Sequence, residues 1–193
     1  SLPRIDSIDD LSHQIGLSNG LLYKMARVPD SFYRSVTIPK KSGGIRELAC
    51  PSAKIKAVQA WILRNILDNL SIHPSAKAYV KGGKLTDNVT PHLGRKFFLC
   101  LDLVDFFGSI KYHSVYQIFR SLGYAQEVSS LLANICCYRG SLPQGGVTSP
   151  ALSNLACIRL DKRLSGFSGA RRITYTRYAD DLTFSADDPD LLI

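Results

Sequence analysis

No run of apolar residues in this sequence reaches the roughly 18 that a bilayer-spanning helix needs, so no transmembrane helix is expected. Ser1-Leu2-Pro3-Arg4 lacks the charged-then-apolar order of a secretory signal, which makes the cytoplasm the expected location. Cysteine is sparse: Cys50, Cys100, Cys136, Cys137 and Cys157 are odd in number and scattered, with no C-x-x-C pair. A disulfide framework or a zinc site is therefore poorly supported. Because Cys100, Cys136 and Cys157 sit in apolar stretches, buried free thiols are expected. Repeats and low-complexity tracts are absent as well. What remains is an ordinary globular composition, 45% hydrophobic and 21% charged, in 193 residues. That is long enough for one substantial core or for two small lobes sharing an interface.

Acidic residues are scarce in one half only. From Lys24 to Lys96 there are 4 Asp/Glu against 14 Lys/Arg, whereas from Phe97 onward the count is 9 against 9. A basic first half joined to a neutral second half suits a surface gripping a polyanion beside a separate chemical site. An ordinary solvated basic surface would give the same counts.

The local patterns predict an α+β chain. Ser7 can cap a helix with Asp10 three residues on, and Ser18 can cap Leu21 to Arg27. Phe32 to Ile38 and Ile45 to Cys50 read as two strands of a hairpin with a basic, glycine-bearing tip. Ser52 opens the strongest helix, with Ile55, Val58, Ile62, Ile66 and Leu70 on one face and His73-Pro74 closing it. Lys77 to Lys96 reads as a long basic loop region with one short element. Phe97 to Leu101 suits a buried strand. Helices are expected at Ser114 to Leu122, at Gln126 to Cys137, and from Ser149-Pro150 to about Leu164, the loop Gly140 to Thr148 preceding the last. Arg172 to Tyr178 and Leu182 to Ser185 look like strands separated by Ala179-Asp180-Asp181.

Two features are costly unless they have a use. Asp102 ends the apolar run from Phe97, where an unpaired carboxylate needs a cation or a ring of donors. It is also a residue type that caps turns. Asp180-Asp181 stands at a hairpin apex, where turn geometry favours Asn-Gly or Asp-Gly and adjacent carboxylates repel. A solvated polar turn is the plainer alternative. Taken together, two strand ends bearing carboxylates could converge on hard, oxygen-ligated divalent cations. A pair of such ions roughly 3.5–4 Å apart activates an attacking hydroxyl and stabilises a leaving pyrophosphate. The histidines lack zinc-ligand spacing, which favours Mg²⁺.

Three ordered segments carry a resemblance to reverse transcriptases. Tyr178-Ala179-Asp180-Asp181 matches their Y-x-D-D box. The run from Phe98 to Phe107 resembles their first palm motif, and Leu142 to Pro150 their P-Q-G…S-P segment. The resemblance extends from about Phe32 to Ser185. It implies right-hand polymerase fingers (1–90 and 113–143) and palm (91–112 and 144–193), with an antiparallel palm sheet packed with helices. It also implies that Asp102, Asp180 and Asp181 are catalytic and hold two Mg²⁺ (or Mn²⁺) ions, with the Leu103 carbonyl as a further ligand. Phe107 falls where the family places the aromatic gate against ribonucleotides. Gln144 would line the nucleotide pocket, Gly145-Gly146 would let backbone approach substrate or template, and Lys41 and Arg46 of the hairpin would hold the triphosphate. Asp105 is expected in a structural contact.

Asn88-Val89-Thr90-Pro91-His92 resembles the N-A-x-x-H element of retron enzymes, with Val for Ala, and Phe106 to Ile110 resembles their F-F-P-S segment, with Gly for Pro. The resemblance implies an RNA-directed DNA polymerase working with RNA template and primer, dNTPs, a cognate structured non-coding RNA and an effector protein, without a membrane. A role in defence against phage is implied too. Group II intron enzymes share the P-Q-G-G run, and an inactive RNA-binding fragment or another palm-type nucleotidyl transferase such as a cyclase are the further alternatives. The sequence ends eight residues after Ser185, ahead of the family's thumb and V-T-G element. A chain with the site architecture but poor activity on its own is the resulting expectation.

Overall fold

Capping serines set the first two helices. The computed structural model, which describes residues 2–39 and 43–192, has α1 at Ile8–Ile15 and α2 at Asn19–Arg27. Ser7 Oγ accepts the Asp10 N–H while the Asp10 carboxylate accepts the Ser7 N–H, and Ser18 Oγ accepts the Leu21 N–H. The hairpin follows as β1 (Tyr33–Pro39) and β2 (Ile45–Pro51), antiparallel from Tyr33↔Pro51 to Pro39↔Ile45. Its tip, Lys40 to Ser42, lies outside the described residues.

Helix α3 spans Ala53–Asn65 and buries Ile55, Val58 and Ile62 completely. Periodicity predicts a helix to His73, yet the α-helix stops at Asn65. The side-chain amides of Asn65 and Asn69 donate to the Trp61 and Asn65 carbonyls at 2.9 and 3.0 Å, and the chain tightens into a 3₁₀ turn at Leu67–Asn69. Next come α4 (Thr86–Val89), β3 (Phe97–Asp102), α5 (Phe106–Ser109), α6 (Tyr112–Ser121) and α7 (Gln126–Cys136). The single helix expected from Ser149 is two, α8 (Ser149–Ala156) and α9 (Ile158–Gly169). Cys157 separates them as a single turn residue at φ −83°, ψ −3°. The chain then forms β4 (Thr174–Tyr178) and β5 (Asp181–Ala186).

These elements divide into two compact units, each drawn from two stretches: Ser1–Leu70 with Phe107–Leu152, and Ser71–Phe106 with Ser153–Ile193. In the first, α7 is central and packs against α2, α3 and α6, with Val128, Leu132, Ile135 and Cys136 fully buried. Gln59 of α3 is the polar hub of that core. Its amide donates to Tyr33 Oη (2.7 Å) and the Ile135 carbonyl (2.9 Å), and its oxygen accepts the Val147 N–H (3.0 Å).

The second unit is built on a three-stranded antiparallel sheet in the order β3-β5-β4. Strand alternation gives it an apolar and a polar face. Ile173, Tyr175, Leu182, Phe184 and Ala186 form the apolar side, packed with Leu99 and with Leu164 of α9. On the polar side the buried His92 ring bridges Ser185 Oγ (Nδ1, 2.6 Å) and Thr176 Oγ1 (Nε2, 2.8 Å). Burial lowers the His92 pKa, with the Arg95 charge acting in the same direction.

Strand β3 corrects an expectation. The apolar run from Phe97 predicts a buried strand, yet Phe98 is 54% and Leu101 47% exposed, and Cys100 is exposed too. Among the described residues β3 is an edge strand paired only with β5, so one flank lacks a neighbouring strand. Cys136 and Cys157 are buried and free, as expected.

Candidate active site

The carboxylates meet at one end of this sheet. Asp102 is the last residue of β3 and stands directly across the ladder from Asp181, the first residue of β5. Opposed residues in an antiparallel pair have Cα atoms about 4.5–5.5 Å apart. Asp180 is fixed alongside by the Leu103 N–H, which donates to its carbonyl at 3.0 Å. Sequence separation of almost eighty residues is thereby reduced to one ladder step.

The turn differs in detail from the expected apex. Tyr178 pairs with Asp181, which leaves Ala179-Asp180 as a two-residue loop and puts Asp181 in the strand. The strained position is Ala179, at φ +59°. Two-residue hairpins with a positive φ at the first loop position normally place glycine there, and a left-handed L-residue costs about 1–2 kcal/mol.

Electrostatics mark the same spot. Asp181's carboxyl titrates above the ordinary carboxylate range, through burial first and then through the negative charges of Asp180 and Asp102. Tyr79, also left-handed at φ +59°, has its phenol pushed up by burial and then by Asp180 and Tyr178. Among the described residues no three His, Cys, Asp or Glu side chains form a ready-made metal cluster. The donor set nonetheless fits hard divalent cations: every candidate ligand is oxygen, and after burial the charges of Asp180 and Asp102 both raise the Asp181 pKa, a repulsion that such a cation would relieve.

Beneath the turn lies a feature that sequence reasoning missed. Arg177 and Asp161 are both fully buried and paired through two bonds, Nε to Oδ1 (2.9 Å) and Nη2 to Oδ2 (2.7 Å). Tyr175 Oη donates to the same Asp161 Oδ1 at 2.9 Å. The third guanidinium nitrogen, Nη1, donates to the Ala179 carbonyl at 2.9 Å. A signal existed, since Tyr175 and Arg177 alternate along β4, in phase with Ile173 just before it, and this puts Arg177 on the apolar face.

The remaining site residues of the sequence reading belong to the first unit or fall outside the description. Lys41 lies outside the described residues, and Arg46 is described only by its backbone, opposite Ile38 in the hairpin. Phe107 begins the second stretch of the first unit, half-buried in α5. Gln144 is half-buried and accepts the Ala49 N–H of β2 on its carbonyl at 3.0 Å. Gly145 has φ +115°, and a Cβ there would lie 2.8 Å from the Ala49 carbonyl oxygen, so the close backbone approach at this glycine is to β2. Gly146 is closed in by Ser149 Oγ and the Pro143 ring. Asp105, for which a structural contact is expected, adopts φ +48°. No helix among the described residues is long and apolar enough to cross a membrane.

Comparison with known proteins gives a consistent picture. The family model described as reverse transcriptase (RNA-dependent DNA polymerase) matches residues 38–193. The chain is 44% identical to the retron Ec86 reverse transcriptase of Escherichia coli, over 96% of this chain and 58% of that protein. It is 36% identical to the retron Mx65 reverse transcriptase of Myxococcus xanthus, over 97% of this chain and 49% of that protein. For the Mx162 enzyme of the same organism the identity is also 36%, over 95% of this chain and 42% of that protein. The chain thus spans about half the length of these curated relatives.

Proposed function

The chain belongs to the reverse transcriptase family and is of the retron type, and from that premise we propose that it is the catalytic core of an RNA-directed DNA polymerase. The observation that carries the proposal is the meeting of Asp102 and Asp181 across one ladder step, with Asp180 in the adjoining loop. Asp102, Asp180 and the Leu103 carbonyl would hold two Mg²⁺ ions, with Asp181 assisting. Bound there, the ions supply Lewis acidity for attack of a primer hydroxyl on the α-phosphate of a dNTP and for departure of pyrophosphate. The chain's own part is positioning. The ladder fixes the carboxylates at a set spacing, and β2 holds the Gln144–Gly145 loop through the Ala49 N–H.

The first unit is assigned to the fingers and the second to the palm, with changeovers at residues 70, 106 and 152, where the sequence reading set them at 90, 112 and 143. Arg46 and Lys41 are assigned to the triphosphate, Gln144 and Gly145 to the nucleotide pocket, and Phe107 to exclusion of ribonucleotides. The template is a cognate structured non-coding RNA, part of which is copied into single-stranded DNA. The same likeness favours work beside an effector protein in the cytoplasm, in defence against phage.

Primer extension on an RNA template tests the assignment. Weak incorporation of dNTPs by this chain on its own, which Asp102→Asn and Asp180→Asn each reduce to background, is the expected result. Incorporation surviving both substitutions would remove these carboxylates from the chemistry. RNA binding without any incorporation would favour the reading of an RNA-binding fragment, which the basic stretch from Lys24 to Lys96 also supports.

A further inference from the structure

We propose that the buried Asp161–Arg177 pair is a positioning device for the metal-bearing turn, in which Asp161 aims the guanidinium and Arg177 holds the Ala179 carbonyl. This inference rests on the metal-site reading above. Three observations carry it. First, the guanidinium is used on both sides: Nε and Nη2 are fixed by Asp161, and that fork directs Nη1 to the Ala179 carbonyl at 2.9 Å. Second, the residue it grips is the strained one, at φ +59°, and its carbonyl immediately precedes Asp180. Third, the strand under Arg177 is anchored on its outer edge as well. The Arg177 N–H donates to the Ser75 carbonyl and the Lys77 N–H to the Arg177 carbonyl, both at 2.8 Å.

The energetics favour a positioning role over a purely stabilising one. A buried ion pair is weak evidence for stability, because desolvation of both groups offsets their attraction. A planar fork locked at two nitrogens nevertheless gives the third a fixed direction. A shift of the Ala179 carbonyl would rotate the peptide that leads into Asp180 and change its carboxylate's place relative to Asp102. Arg177 and Asp161 are therefore positioning residues, acting through the turn and touching no substrate.

The test uses the 193-residue chain and Mn²⁺, with free ion read by its electron paramagnetic resonance signal during titration at low temperature. Asp180→Asn should weaken Mn²⁺ binding at least about tenfold, which establishes the site being read. Arg177→Lys keeps the charge but has one nitrogen, which cannot reach Asp161 and Ala179 together. Asp161→Asn keeps the size and one acceptor but loses the carboxylate fork. Each is expected to weaken Mn²⁺ binding about tenfold while circular dichroism and cooperative melting persist. Leu164→Ala, which thins the adjoining core without touching the pair, should lower the melting temperature and leave Mn²⁺ affinity unchanged. Two conservative variants on opposite sides of the pair keep the test alive if one fails to fold. Wild-type affinity in a folded Arg177→Lys or Asp161→Asn chain, or an equal loss in Leu164→Ala, overturns the positioning role alone. Mn²⁺ binding that Asp180→Asn leaves unchanged overturns the metal site and this inference with it.

Discussion

Asp181→Asn should make the chain more stable at neutral pH, and the gain should disappear in acid. Asp181 faces Asp102 directly across the ladder and adjoins Asp180 in sequence. Two unit charges about 5 Å apart repel by roughly 0.8 kcal/mol at the dielectric of water and several-fold more at a protein surface of lower effective dielectric. Asp181 is largely exposed, so solvent screening keeps the net cost near the lower figure, and about 1 kcal/mol is the expected gain. In a protein of this size that is roughly 2–4 °C in melting temperature.

The pH dependence follows from the direction of the shift. Asp181's folded-state pKa lies above the ordinary carboxylate value, so the folded chain binds this proton more tightly than the unfolded chain does. The protonated side chain costs nothing below the unfolded value of about 3.9, and the penalty grows as pH rises through the folded pKa. Thermal melts of both proteins from pH 4 to pH 8 should show the asparagine variant gaining as pH rises through the folded pKa and then holding that gain. Under the proposed metal site, added Mg²⁺ should raise the wild-type midpoint and narrow the gap. A variant melting at or below wild type at pH 7.5, or a gain equal at pH 4 and pH 8, would refute the repulsion argument.

Three further outcomes follow from the packing. Asp161→Ala leaves the fully buried Arg177 without its counter-ion and should cost about 3–5 kcal/mol in urea denaturation, with part of the loss recovered in the Asp161→Ala/Arg177→Met double variant. Gly145→Ala puts a methyl group 2.8 Å from a backbone carbonyl at φ +115° and should cost about 1–3 kcal/mol; a change under about 0.5 kcal/mol would mean the loop yields freely. Gln59→Leu strands Tyr33 Oη, the Ile135 carbonyl and the Val147 N–H together, for an expected loss of about 2–4 kcal/mol, whereas Tyr33→Phe alone should lose about 1 kcal/mol.

What could be read in advance depended on the range of the forces involved. Capping is local, and Ser7 with Asp10 and Ser18 with Leu21 bond as their spacing predicts. The hairpin was legible in its glycine-bearing turn, and the meeting of two carboxylate-bearing strand ends in the cost of leaving those carboxylates without a cation. The end of α3 was missed because two asparagine amides take over its last carbonyls, a competition that hydrophobic periodicity does not register. The exposure of β3 was missed because an apolar run specifies a strand and says nothing of whether both flanks are paired. Arg177 was missed because charged residues are assumed to face water unless a partner is known, and its partner lies sixteen positions back on another element.

The alternation that hid Arg177 also explains why it is paired. Along β4 and β5 the apolar face carries Arg177 and Leu182, while the opposite face, one residue out of phase, carries Asp181 across from Asp102. An unpaired guanidinium at this depth would act as an internal counter-ion for carboxylates only a few residues away. It would lower the local demand for a divalent cation and weaken the site it supports. Pairing with Asp161 neutralises that charge on the core side of the sheet, so that it does not offset the negative charge of Asp102, Asp180 and Asp181. On the proposed metal reading, the pair that aims the turn thus also keeps the turn's charge available to a cation, a use that a hydrophobic contact in its place would not serve.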